Sequence, residues 1–198
     1  MDAIIALDHS LFAMLNGSLT SNFLDWLMPL ITDAKTWLPI VAIVWLAMIF
    51  SGRTRLRVVA LALLVSVGAT DLVSARIIKK AVGRRRPCTL AKKTDFKCRL
   101  LLPMKTSKSF PSNHAANTAA FATAMIVMCG VKFGWPFIAI SILVGYSRVY
   151  VGVHFPFDVA VGWLVGTLIA LMVCRLILWK WPLPVPAKAE CLPPPVPS

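Results

Sequence analysis

Three short polar segments of an otherwise apolar chain hold residue types able to do chemistry. They are Lys79 followed after six residues by Arg86-Pro87, the run Ser109-Phe110-Pro111-Ser112-Asn113-His114, and Ser147-Arg148 followed by His154 and Asp158. In the second segment Pro111-Ser112 precedes a long apolar stretch. Ser112 is a good N-cap, and the N–H groups after it lack intrahelical partners. A helix end of this kind attracts phosphate oxygens through those N–H groups and the local dipole. His114 falls in its first turn. In the third segment Phe155-Pro156 opens a helix, because proline is tolerated in a first turn. His154 stands at the entrance, with Asp158 four residues on, within i,i+4 reach. A carboxylate on one ring nitrogen fixes the tautomer and leaves the other nitrogen as a nucleophile. Arg148 offers a planar fork for phosphate oxygens. Taken singly, the second segment also reads as a capped helix with a surface histidine, and the third as an interfacial Arg–Asp pair beside a bystander histidine.

The elements that must position these groups are membrane helices. Of the 198 residues, 58% are apolar and 15% charged, where a soluble domain has about 45–50% and about 25%. A mean hydropathy of +0.76 excludes a disordered chain or a nucleic-acid-binding tail despite the net charge of +13. Five cysteines are too sparse for a secreted disulfide scaffold. The expectation is an all-α, polytopic bundle in one compact domain. A spanning helix needs about 20 mostly apolar residues. The stretches Thr36–Gly52, Val58–Thr70 extended to about Lys79, Ser109–Val131, Phe133–Ser147 and Val159–Cys174 supply about five spans once their flanks are counted.

Residues 1–35 read as interfacial or re-entrant helices covering the spans, because Asp8, His9, Asn16, Asp25, Pro29 and Asp33 interrupt their apolar runs. They do not read as a signal peptide, since the first basic residue is Lys35. The expected divisions are an N-terminal segment 1–35, a transmembrane domain 36–181 and a Pro-rich, disordered tail 182–198.

If the spans alternate direction, Arg53–Arg57, Lys132 and Arg175–Trp181 share one face, and Lys79–Lys108, Arg148 and His154 share the other. Thirteen of the 21 Lys and Arg residues lie between Arg76 and Lys108 or at Arg148, with Asp95 and Asp158 the obvious acids among them. Positive-inside topology accounts for such a run as a cytoplasmic loop. An anion site at the membrane surface accounts for it as phosphate-facing charge.

The three segments together resemble the signature of the type 2 phosphatidic acid phosphatase family, whose fold is shared with vanadium haloperoxidases. Lys79…Arg86-Pro87 matches its first motif, Pro111-Ser112-Asn113-His114 its second and Ser147-Arg148…His154…Asp158 its third, over roughly residues 36–180. Asn113 stands where the family usually has glycine; asparagine tolerates unusual backbone angles better than most residues. The resemblance implies that His154 attacks phosphorus, Asp158 orients and charge-matches it, and His114 protonates the leaving oxygen and then helps activate water. It implies that Lys79, Arg86 and Arg148 hold the phosphate with Ser112 and the backbone at Asn113 and His114. Three cations then replace a divalent metal, so neither metal nor cofactor is expected, and positioning with charge stabilisation supplies most of the catalysis.

The expected function is hydrolysis of a lipid phosphate or diphosphate, undecaprenyl diphosphate first. Phosphatidylglycerophosphate, phosphatidic acid and lipid A are alternatives. The expected partners are the phospholipid or isoprenoid-phosphate substrate and membrane lipids, with no nucleic acid. The expected place is the bacterial inner membrane with the site on the periplasmic or extracytoplasmic side. A lipid-to-lipid phosphotransferase differs by labelling a second lipid; a non-catalytic module binding anionic lipids differs by keeping full function in His154→Ala. His9 reads as an interfacial bystander. Asp71, a lone charge inside a span, pairs with Arg76 or a neighbouring helix or is protonated. Gly162 and Gly166 suit close helix packing within the fold, and Cys88 and Cys98 can pair if their loop meets an oxidising compartment.

Overall fold

The computed structural model describes residues 2–104 and 106–182, and every regular element among them is helical. The chain runs through α1 (Asp2–Ala13), a π-helical turn (Met14–Ser18), α2 (Asn22–Thr32), α3 (Ala34–Phe50) and α4 (Thr54–Leu72). A second π-helical turn (Val73–Ile78) leads to α5 (Lys79–Val82) and α6 (Pro87–Ala91), followed by α7 (Asn113–Cys129), α8 (Val131–Tyr150) and α9 (Pro156–Lys180). The Pro-rich tail expected from the sequence lies outside the described residues, apart from Pro182.

The chain is a helical membrane bundle whose surface is largely apolar. On α9, Leu164, Leu168, Met172 and Leu176 are each more than half exposed, four residues apart, while Gly162, Gly166, Ala170, Cys174 and Ile177 face inward. Such a stripe has its apolar face toward lipid. Trp26, Trp37, Trp135, Trp179 and Trp181 are exposed near the two ends of the bundle, as an aromatic belt requires. By length and composition, the run beginning at Thr54 and helix α9 suffice alone to cross a membrane, and α2 with α3 qualifies as a pair bent by 47°. Helix α7 has only 17 residues and carries Asn113, His114 and Asn117. It is enclosed by α4, α8 and α9, so it needs no apolar outer face.

Two glycines set how closely α7 meets α9. A Cβ on Gly166 would stand 2.0 Å from the Ala116 carbonyl oxygen, and one on Gly162 2.7 Å from that of Ser112. The pair packs helices inside the fold, as its spacing suggests. That contact fixes where α7 begins relative to α9. Gly166→Ala should therefore destabilise the protein by at least about 1–3 kcal/mol, the usual range for overpacking. Gly68→Ala, with nothing within 4 Å, should be neutral or slightly stabilising. Thermal unfolding in detergent reads both, and equal midpoints would show that the α7–α9 crossing can relax.

Far from the polar segments, Val59, Leu63, Ala124, Met128, Val173 and Ile177 form an apolar core. At the other end lie two smaller clusters, one around Phe12, Val149, Phe155 and Val159, the other around Met28, Tyr150 and Val153. The N-terminal helices pack over this second end. Asn16 Nδ2 donates to the carbonyls of Arg99 (2.8 Å) and Tyr150 (2.7 Å). Asp25 pairs with Arg99 at 2.5 Å and accepts from the Tyr150 hydroxyl at 2.6 Å. The polar residues that interrupt the first 35 residues are thus tertiary anchors. Asp33 starts α3 by accepting from Lys35 N at 3.1 Å.

Candidate active site

The first polar segment is built by breaking one long helix. The π-helical turn widens the helix just before Lys79, a distortion that often marks a functional position. Gly83 ends α5 with φ +66 and its N–H on the Lys79 carbonyl at 3.2 Å; glycine adopts that left-handed conformation without a Cβ penalty. The chain then turns so that Arg86 precedes α6 with Pro87 at its first position. Arg86 is 3% exposed. Its Nε donates to the Ser107 carbonyl (2.8 Å), Nη2 to Ser107 Oγ (3.0 Å) and Nη1 to the Val153 carbonyl (2.8 Å).

Ser112 occupies the N-cap position of α7, but the expected side-chain cap does not form. Its N–H donates instead to the Asp158 carbonyl at 2.9 Å, which ties the start of α7 to α9. Its Oγ is buried without a partner. A buried hydroxyl left so is costly unless it meets a polar ligand, and a phosphate oxygen is one. The apolar stretch from Ser109 becomes helical only at Asn113. No non-glycine residue among those described has positive φ, so Asn113 has no special backbone role. Its contribution is the side chain: Nδ2 donates to Asp71 Oδ1 at 2.9 Å, and Asn117 Nδ2 donates to the same oxygen at 3.2 Å. Asp71 therefore pairs with the neighbouring helix rather than with Arg76.

His154 is 1% exposed. Its Nε2 lies 3.0 Å from Arg86 Nη1 and its Nδ1 3.5 Å from Asp158 Oδ2. A guanidinium can only donate, so Nε2 is the acceptor and the ring proton sits on Nδ1, facing Asp158. That tautomer leaves the lone pair on Nε2, which takes the Arg86 N–H at 3.0 Å, and both residues line the cavity. Burial, aided by the nearby Arg86 and Arg148 charges and against the pull of Asp158, brings the His154 pKa down to about 3. The imidazole is thus neutral over the ordinary pH range.

A cavity of about 260 Å³ opens in front of His154. Lys79, Arg86, Arg148, Asn113, His114 and His154 line it, with Asp71, Ser107 and Asn117. Six of the eight residues singled out by the sequence meet there. The other two stand behind it, Ser112 at the α7 start and Asp158 behind the imidazole. Arg148 is 2% exposed; its Nη1 donates to Thr32 Oγ1 at 2.5 Å and its Nε is buried without a partner. Among these cations the cavity also holds a carboxylate, Asp71, which accepts from the Asn113 and Asn117 Nδ2 groups.

Sequence reasoning missed Thr32, Ser107, Ser109, Arg84 and Asp8. Ser109 Oγ donates to Asp158 Oδ2, and the Phe155 N–H donates to the same oxygen at 2.9 Å. Arg84 pairs with Asp158 (2.8 Å) and with Asp8 (2.5 Å). Lone Ser and Thr residues carry no spacing signal, and Arg84 sits in a run of three arginines. His9, read as an interfacial bystander, packs between the Phe96 and Phe155 rings at 5.0 and 5.1 Å and does not line the cavity. Cys88 and Cys98 are free thiols, not a disulfide. Burial raises the Cys98 thiol to about 12, which keeps it inert.

Comparison with known proteins adds to this geometry. The family model described as the PAP2 superfamily matches residues 59–182. The chain is 34% identical over 137 residues to an undecaprenyl-diphosphatase of Sulfolobus acidocaldarius, covering 69% of this chain and 61% of that protein. It is 29% identical over 182 residues to a lipid A 4'-phosphatase of Porphyromonas gingivalis, covering 90% and 76%. The crystal structure of a transmembrane PAP2-type phosphatidylglycerolphosphate phosphatase from Bacillus subtilis superposes with TM-score 0.71 at 26% identity, over 89% of this chain and 87% of that one.

Proposed function

The chain belongs to the PAP2 superfamily, and on that premise we propose that it is an integral-membrane lipid phosphatase working through a phosphohistidine at His154 without a metal. One observation carries the reading: two histidines and three cations share one cavity at one end of an apolar helical bundle. His154 Nε2 attacks phosphorus while the bond to the leaving oxygen breaks and His114 gives that oxygen a proton. His114 then takes a proton from water, whose oxygen attacks the phosphohistidine, and inorganic phosphate leaves with His154 restored. Lys79, Arg86 and Arg148 hold the equatorial oxygens, with Ser112 Oγ and the N–H groups at Asn113 and His114. The lipid tails stay among the helices, and the site faces the extracytoplasmic side.

Undecaprenyl diphosphate is the substrate favoured by similarity. A carboxylate in the cavity favours a second reading. Asp71 lines the same cavity as His114 and is held by the Nδ2 groups of Asn113 and Asn117. A leaving glycerol hydroxyl, as in phosphatidylglycerophosphate, whose remaining phosphodiester charge lies farther along the glycerol, suits a cavity with that carboxylate better than a phosphate that carries the leaving oxygen itself.

Phosphate release from a panel of purified lipid phosphates and diphosphates, in excess chelator, tests both. Activity should survive the chelator, and vanadate should inhibit by mimicking five-coordinate phosphorus. Complete loss that magnesium restores would sink the three-cation site. Asp71→Asn should raise kcat/KM for the diphosphate about tenfold relative to the glycerol-bearing ester, as expected for removal of one like charge. An unchanged ratio would remove Asp71 from substrate choice.

A further inference from the structure

We infer that Asp8 and Arg84 are positioning residues for phosphoryl transfer: they fix Asp158 behind His154, set the charge of that cluster and make α1 part of the catalytic apparatus. The inference rests on the phosphohistidine reading above.

The Arg84 guanidinium is a fork between two carboxylates, Nη1 on Asp158 Oδ1 at 2.8 Å and Nη2 on Asp8 Oδ2 at 2.5 Å. Both carboxylates are 0% exposed. The other Asp8 oxygen accepts from the Phe157 N–H at 2.9 Å, so Asp8 also grips the α9 turn that carries Asp158. Arg84 Cζ lies 4.2 Å over the Phe155 ring, and Phe12 of α1 packs against the same ring at 5.4 Å. Helix α1 thereby holds the segment between His154 and Asp158 from outside.

The charges give this grip a chemical purpose. As Nε2 bonds to phosphorus with the proton kept on Nδ1, the imidazole becomes a cation. Arg86 and Arg148, in front of the ring, are matched to the phosphate. Behind the ring, Arg84 and Asp158 alone would cancel and leave the new cation without a counter-charge. Asp8 restores a net −1 to the buried cluster, equal and opposite to the charge that develops. Deleting the Asp8 charge should therefore slow bond formation without weakening substrate binding.

The test is rapid-quench labelling of full-length protein in detergent with a labelled activated aryl phosphate, comparing wild type, Asp8→Asn, Asp8→Asn/Arg84→Gln and Asp25→Asn. Asp8→Asn should slow phosphoenzyme formation about 10- to 100-fold, the range for outer partners of a metal-ligating histidine, with the half-saturating concentration unchanged. The double variant returns the cluster to −1 and should label faster than Asp8→Asn alone, a recovery that mere undocking of α1 cannot produce. Asp25→Asn, which loosens the N-terminal segment elsewhere, should label at the wild-type rate. Equal rates for Asp8→Asn and wild type, or a double variant slower than Asp8→Asn, would overturn the inference while leaving the phosphohistidine intact. A wild type that takes no label on His154 overturns the phosphohistidine reading and the inference with it. If Asp8→Asn does not fold, Arg84→Lys carries the test. It keeps the cluster charge but loses the fork, so labelling should slow about tenfold with saturation unchanged, and a full rate would overturn the inference.

Discussion

His154→Ala should form no covalent phosphoenzyme and lose on the order of 10⁴-fold or more of turnover, the scale seen when a nucleophile is removed. Lys79, Arg86 and Arg148 cannot replace it, since they are donors with no lone pair to offer when charged, and His114 stands on another element, in the first turn of α7. His114→Ala should fail differently. A general acid matters in proportion to the basicity of the leaving oxygen. Labelling from an activated aryl phosphate should thus fall much less than labelling from a lipid alkyl phosphate, while hydrolysis of the phosphoenzyme slows for both. Rapid-quench trapping separates the cases. Label on His154→Ala with none on His114→Ala would mean that nucleophile and acid are exchanged.

The residues that do the chemistry were legible in the sequence because chemistry constrains type and spacing together. His154 and Asp158 are four apart at a helix entrance, and the fold leaves them 3.5 Å apart. The residues that hold those groups were not legible. Arg84 looks no different from Arg85 in sequence, and only tertiary structure puts Asp8 and Asp158 on its two nitrogens. Ser112 shows the converse. Its local signal as a cap was correct for position and wrong for the side chain, because its N–H is held by α9 and Oγ turns elsewhere. Helix boundaries differed for a similar reason. Apolar runs mark where lipid or core demands greasy residues, whereas α7 begins only at Asn113 and α8 continues through the buried polar residues Ser147 and Arg148. The N-terminal 35 residues were ambiguous because their polar residues are satisfied by partners 70 or more positions away, such as Arg99 for Asn16 and Asp25.

Arg86→Gln should lower kcat/KM by about 10²–10³-fold, as for loss of one preorganised transition-state donor, and should also move the acid limb of the pH profile upward. The loss follows from removing a cation that lines the cavity and donates to Ser107, Val153 and His154. The pH shift follows from the sign of its effect on the nucleophile. In the free enzyme burial first, then the Arg86 and Arg148 charges, hold the His154 pKa at about 3. A base with a lowered pKa stays neutral, and able to attack, down to a lower pH. Wild-type kcat/KM should therefore show no fall from protonation of His154 until well below pH 5. Taking away the Arg86 charge removes one of the influences that disfavour the imidazolium, so the acid limb moves toward neutral pH. Both enzymes should be run on the same aryl phosphate, so that substrate ionisation contributes equally and drops out of the comparison. A variant whose acid limb coincides with that of wild type would show that Arg86 acts on the phosphate alone, and that its 3.0 Å contact with Nε2 does not tune the nucleophile.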